Sequence, residues 1–265
     1  MAMRKKKCHP EPKAKDPNGP IRFFASHRMT MLLLAMTILG SSAHAHTWKK
    51  IADGVSYTKL GAIHAFQIDP KKFRLSIATA KESGLKNSTA RELAKKTKAI
   101  LAINGGFFST ENKSIGLLIR QGDVLNPLHP TTWWAVFYLS EKKPAIVLPA
   151  SFQKSGDMEM AVQAGPRLVV DGKIPALKPS EAKRSGIGIR TDGHIVIAAS
   201  ESELSIEEFA QTFQKSEEEG GLGCLNALNL DGGGSTQIYF NWKEFELDQP
   251  GTSFITNAVT VFPRY

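Results

Sequence analysis

Short β-branched and aromatic runs, each closed by a tight turn, dominate this chain and commit most of it to sheets. Residues 73–78, 115–120, 134–139, 145–148, 167–170, 186–190, 194–198, 237–240 and 258–262 all read as strands. The pairs Asp171-Gly172 and Asp192-Gly193, and the triplet Gln121-Gly122-Asp123, are hairpin turns, so neighbouring strands pair antiparallel. Helical spacing is confined to two places. Residues 89–98 keep Leu93 and Ala94 on one side; residues 205–219 open on a Ser-Ile-Glu-Glu capping box and carry Ile206, Phe209, Ala210 and Phe213 on one face. The expectation is an α+β fold: mixed, largely antiparallel sheets with a few helices, in a single domain.

The first 45 residues belong to something else. Scattered basic residues and prolines precede a short uncharged apolar run at 29–40, and Ala43 and Ala45 supply the small side chains that a signal peptidase reads. The run is about half the roughly 20 residues needed to span a bilayer. Residues 1–45 are therefore expected to be a basic leader and signal peptide, cut before His46. Residues 46–265 are then the working domain, secreted or periplasmic, touching a membrane only through the signal segment. Eight of the 34 Lys and Arg and two of the 25 Asp and Glu lie before His46, leaving 26 against 23, a net charge of +3. With no basic stripe interleaved with aromatics, nucleic acid is excluded as a partner. Cys8 leaves with the leader, so Cys224 has no partner for an intramolecular disulfide and the domain must be held by its core.

Two apolar runs end in the same way. Ala-Ile-Leu-Ala-Ile leads into Asn104, Gly105 and Gly106; Ala-Leu-Asn-Leu leads into Asp231, Gly232, Gly233, Gly234 and Ser235. Glycine allows a ligand close to backbone N–H groups, and a run of such amides can form an anion-binding nest. A bare phosphate cradle gains nothing from a carboxylate at its rim, so Asp231 points to acid, base, nucleophile or metal-ligand work. The segment lacks the lysine of a Walker loop, and the residues from Ser235 onward look like strand, which excludes the dinucleotide fingerprint. A plain glycine-rich turn is the simpler alternative for each loop.

Other chemistry is sparse. Arg167 and Arg184 stand at strand starts, where either guanidinium could pair with a phosphate or carboxylate or simply be solvated. His64, His129 and His194 lack the spacing of a zinc site; His64 alternates with apolar neighbours as a strand residue does. Cys224 sits in an apolar run and reads as buried and inert. Trp133 and Trp134 suit either sugar stacking or core packing.

Taken in order, the blocks around Asn104-Gly105-Gly106, Gly165-Pro166-Arg167-Leu168, Arg184-Ser185-Gly186-Ile187 and Asn229 to Ser235 resemble the phosphodiester glycosidase family over almost the whole of residues 48–262. Ser185 departs from the threonine common there. The resemblance implies a hydrolase that cleaves a sugar from a sugar-1-phosphate diester in an envelope or extracellular glycan. It puts Asp231 in the role of nucleophile or general base, Arg167 and Arg184 against the departing phosphate, and the Gly232–Ser235 segment around it. Asn104, Gly105 and Gly106 would bind the sugar. Glu82 is the candidate second carboxylate, with an exposed surface glutamate as its alternative. No cofactor is required, although oxygens of Asp231 and Asn104 would suit calcium. The competing reading is a non-catalytic binding or assembly protein for phosphorylated exopolysaccharide, which needs the glycines but not Asp231.

Overall fold

The computed structural model describes residues 47–85 and 87–264; the leader and the run at 29–40 lie outside the described residues. In chain order, strands β1 (Lys49–Ala52), β2 (Val55–Leu60), β3 (Ile63–Ile68) and β4 (Phe73–Thr79) precede helix α1 (Ala90–Thr97). Next come β5 (Leu101–Asn104), β6 (Leu118–Arg120), β7 (Asp123–Asn126), β8 (Ala135–Ser140), β9 (Lys143–Val147), β10 (Met158–Ala164) and β11 (Arg167–Val169). After β12 (Glu181–Ala182), β13 (Ser185–Arg190), β14 (Ile195–Ser200) and β15 (Leu204–Ser205) comes helix α2 (Ile206–Gln214). The chain closes with β16 (Cys224–Asn229), β17 (Ile238–Trp242), β18 (Phe245–Gln249) and β19 (Asn257–Pro263).

Three sheets result, ordered β1-β2-β3-β14-β13-β16-β11, β7-β6-β10-β8-β9 and β18-β17-β5-β19-β4, with β12-β15 as a small ribbon. Every pairing among the described strands is antiparallel, as the hairpin turns require. The inner faces of all three sheets meet in one core around Phe66, Phe137, Leu228 and Phe240. Antiparallel sheets with a few short helices in one α+β domain are what the strand pattern foretold. Among the described residues, no helix is long and apolar enough to cross a membrane.

Helix α2 shows how closely the sequence dictates packing. Ser205 and Glu208 form the capping box, and Phe209 and Phe213 face β13. In β13, Ile187 and Ile189 enter the main core while Gly186 and Gly188 face the helix; a Cβ at Gly188 would lie 2.8 Å from Phe213 Cδ1. The bare strand face lets both rings bury completely, stabilising the fold by about 2 to 3 kcal/mol each. The helix ends at Gln214, short of residue 219, because Ser216 and Glu219 hydrogen-bond to each other locally and turn the chain. Residues 115–117 do not join β6. The Leu117 amide donates to the buried Gln163 side chain, outside the ladder.

Candidate functional site

The two glycine loops meet. Asp231 N–H donates to Gly105 C=O at 3.0 Å, and Asn104 Nδ2 donates to Asp231 C=O at 2.7 Å. Asn104 ends β5, a strand flanked by β17 and β19, and its side chain is wholly buried. Its Oδ1 accepts from Ser185 Oγ at 2.6 Å and from Gln237 N–H at 3.2 Å. One carboxamide therefore ties together the ends of β5, β13 and β16 and the approach to β17. This corrects the expectation of a sugar contact, since every polar atom of the Asn104 side chain is engaged inside the protein. The same two bonds occupy the Asn104 Oδ1 that was expected to join Asp231 around calcium, and among the described residues no cluster of three His, Cys, Asp or Glu suited to a metal occurs.

Gly105 and Gly106 are also internal. Both amides donate to Asn257, Gly105 to its C=O at 3.0 Å and Gly106 to its Oδ1 at 2.8 Å. A Cβ on Gly105 would come within 2.1 Å of Asn257 Oδ1, and one on Gly106 within 2.5 Å of Gln163 C=O. These glycines exist for close backbone packing and leave no N–H for a ligand. Gln163 holds the neighbouring segments as well, accepting from Leu117 and His129 amides and donating to His129 C=O. Sequence reading passed over both amides. The signal was there, in a polar carboxamide within each of the largely apolar runs Met-Ala-Val-Gln-Ala and Asn-Ala-Val-Thr-Val.

The second loop is built differently. Gly233 takes φ +60°, which favours glycine, and its amide donates to Lys183 C=O at 2.8 Å. Gly234 leaves room for the returning segment, whose Thr252 and Ser253 amides both donate to its C=O at 2.9 Å. Gly232 N–H bonds the Asp231 carboxylate itself, at 3.0 Å. Of the three glycine amides, only that of Gly234 has no acceptor among the described residues, so the expected nest reduces to one donor. The half-exposed Asp231 carboxyl makes no ion pair with any described residue. Burial raises its pKa above the ordinary value, against the lowering pull of the Ser235 hydroxyl and the Gly232 amide. Two positions earlier in the chain, the Asn229 Oδ1 is buried with no hydrogen-bond partner among the described residues.

The two arginines separate. Arg167, on β11 opposite Leu228 of β16, is half-buried and its guanidinium has no described partner. Arg184 is turned away, because adjacent residues of an extended chain face opposite sides and Ser185 faces Asn104. Its guanidinium donates to Ser180 Oγ at 3.0 Å and to Leu204 C=O at 3.4 Å, bracing the β12-β15 ribbon, and burial lowers its pKa. An arginine held in this way is not placed to meet a phosphate at Asp231.

Glu82 is held elsewhere. Arg120 grips it with Nη1 at 2.8 Å and Nη2 at 2.7 Å, and Thr79 Oγ1 donates to it at 2.7 Å. Burial favours the neutral acid, but the bonds from Arg120 and Thr79 outweigh it and hold the pKa below the ordinary value. A carboxylate so stabilised is a poor proton donor. It lines a separate cavity, with Thr256 and Asn257 between it and Gly106.

Aromatic rings gather next to the first loop. Phe107 lies 4.8 Å from Trp134, which is buried against His129 at 4.9 Å, while Trp133 is 57% exposed and edge-on to Trp134. Gly165 makes room for them, since a Cβ there would sit 3.0 Å from Trp134 Cα. Of the two indoles, only Trp133 offers an open face. The other candidates are structural. His64 is buried on β3 between Tyr57 Oη and Glu201 Oε1, both at 2.8 Å, and burial lowers its pKa although Glu201 opposes this. Burial pushes the Cys224 thiol up, keeping it inert.

Fold and site together define an antiparallel α+β domain with one uncompensated carboxyl where two glycine loops meet. The chain belongs to the phosphodiester glycosidase family, whose model matches residues 97–262. It is 26% identical over 164 residues to the uncharacterized protein YigE of Escherichia coli K12, an alignment covering 56% of this chain and 65% of that relative, just under two thirds of its length. Its fold is similar to the zebrafish N-acetylglucosamine-1-phosphodiester α-N-acetylglucosaminidase catalytic domain, auto-inhibited by its pro-peptide, with a TM-score of 0.61, 14% identity, and coverage of 83% of this chain and 82% of that one. A hypothetical protein from Synechocystis shares the fold at a TM-score of 0.53 and 17% identity, over 83% of this chain and 61% of that one.

Proposed function

We propose that this protein is an exported hydrolase, secreted or periplasmic, that cleaves a sugar from a sugar-1-phosphate diester in an envelope or extracellular glycan. The observation that carries the reading is the Asp231 carboxyl, poised where the loops meet and paired with no cation. Asp231 acts at the anomeric carbon, as nucleophile or as base to a water. The phosphate leaves readily without strong protonation, which is why one good carboxylate suffices where glycosidases commonly use two. Arg167 is the free guanidinium that meets the charge growing on the phosphate, helped by the Gly234 amide; such donors are commonly worth about 3 kcal/mol each in the transition state. Trp133 offers its exposed face to the sugar. Asn104, Gly105 and Gly106 position this group from behind, while Arg184 braces the neighbouring ribbon.

A binding protein for phosphorylated glycan would place its ligand's negative charge beside an unneutralised carboxyl, an unfavourable arrangement that hydrolysis explains and binding does not. The test is to incubate the purified domain with UDP-sugars, sugar-1-phosphate diesters and cell-envelope glycans. Release of reducing sugar from the diesters supports the reading; tight binding without release from any of them favours the assembly role.

A further inference from the structure

A cavity of about 320 Å³ opens beside Glu82, at the same rim of the sheets as the glycine loops. Thr79 ends β4, Asn257 begins β19 opposite it, and Asn104 pairs with Ala258 on the other side. Cavity and first loop are therefore two strand spacings apart, about 10 Å. Asn257 physically links them, donating to Ser114 Oγ in the cavity wall at 3.2 Å while accepting from Gly106 N–H at 2.8 Å.

The lining has a definite chemistry. Leu125 gives an apolar floor with the buried Leu118 beneath it, and Asn112, Asn126 and Ser114 stand around it, the Asn126 Nδ2 being held by Gly116 C=O at 2.8 Å so that its Oδ1 remains as an acceptor. An apolar patch ringed by amides and hydroxyls matches a sugar ring, whose C–H face is apolar and whose edge is polar. The charges select further. Lys81 and Lys113 both line it; Lys113 is paired with Glu111 at 2.8 Å, whereas Lys81 makes no hydrogen bond or ion pair with a described residue. The only acid in the wall, Glu82, is already neutralised bidentately by Arg120. Among the described lining residues, the charge left without a partner is the Lys81 cation.

We infer that this cavity is a subsite for an acidic sugar residue of a longer glycan, with Lys81 meeting its carboxylate or phosphate, Lys113 adding its charge at the rim, and Leu125, backed by Leu118, its ring. The subsite itself stands on the lining; that the same chain also reaches Asp231 rests on the proposed hydrolase reading. Glu82 and Arg120 then form the subsite wall, a role distinct from that of a second catalytic acid.

The test measures binding and not turnover, so it stands apart from the fate of the hydrolase reading. Tetragalacturonate and maltotetraose are titrated calorimetrically into wild type and into Asp231→Asn, with methyl NMR of the leucines to locate the ligand. In both proteins the acidic tetramer is expected to bind at least tenfold more tightly than the neutral one and to shift Leu118 and Leu125. Lys81→Glu with Lys113→Glu, both exposed positions, is expected to weaken it at least tenfold; Lys71→Glu with Lys142→Glu, at a separate basic surface, is expected to leave it unchanged. Equal affinity for the neutral tetramer, no binding of the acidic one, or equal loss in both lysine pairs would overturn the subsite. If the subsite holds while no diester is cleaved, the hydrolase reading alone fails.

Discussion

The loops at Gly105 and at Gly232 share a grammar, an apolar strand ending in a polar residue followed at once by glycine, yet they do opposite things. In the first, the polar residue is wholly buried and all its hydrogen-bonding atoms are engaged, and both glycine amides close on Asn257. In the second, the carboxyl stays half-exposed and without a counter-ion, one amide is left open, and burial raises the acid's pKa. One loop is a clasp and the other is what the clasp holds. A repeated motif in one domain need not mean two copies of one site.

Substitutions sharpen that contrast, beginning with the clasp. Asn104→Ala strands the Ser185 hydroxyl, the Gln237 amide and the Asp231 carbonyl in a buried place, and should cost about 4 kcal/mol in a denaturant melt. Gly105→Ala drives a methyl into Asn257 and should cost about 3 kcal/mol by the same measurement. Gly233→Ala, where a Cβ meets open space and only the positive φ is strained, should cost about 1 kcal/mol. A loss at Gly233 equal to that at Gly105 would erase the distinction between the loops.

Acidity provides a subtler comparison, between Asp231 and Glu82. Asp231 has a raised folded pKa, so its ionisation costs stability once pH climbs above its ordinary value and through the folded one. Asp231→Asn should therefore match wild type in acid and equal or slightly exceed it at neutral pH. Glu82 has a lowered folded pKa, so its contribution is present above the ordinary value and fades as pH falls through the folded one. Glu82→Gln should be less stable than wild type at neutral pH, by a margin that narrows on acidification. Thermal midpoints across pH for the two variants should diverge in opposite directions.

Much of this was legible in the sequence. Hairpin pairs fixed the antiparallel pairing, as at Gln121-Gly122, where both residues take positive φ. The capping box placed α2, and the motif series named the family. What stayed hidden was set by distant partners. Strand β10 is rich in helix-favouring Met, Glu, Ala and Gln, and becomes a strand because β6 and β8 pair with both its edges. Arg184 and Arg167 look equivalent in sequence, and only the side each faces separates a brace from a free cation. Asn257 and Gln163 lie about 150 and 57 positions from the glycines they hold, beyond the reach of any local pattern.

The central claim is that the second loop carries chemistry and the first carries structure. Its most direct test is turnover of a sugar-1-phosphate diester by Asp231→Asn, with the thermal midpoint recorded on the same sample. The account predicts turnover lowered by about a thousandfold with the midpoint unmoved or slightly raised. Undiminished turnover in a folded Asp231→Asn protein would contradict it.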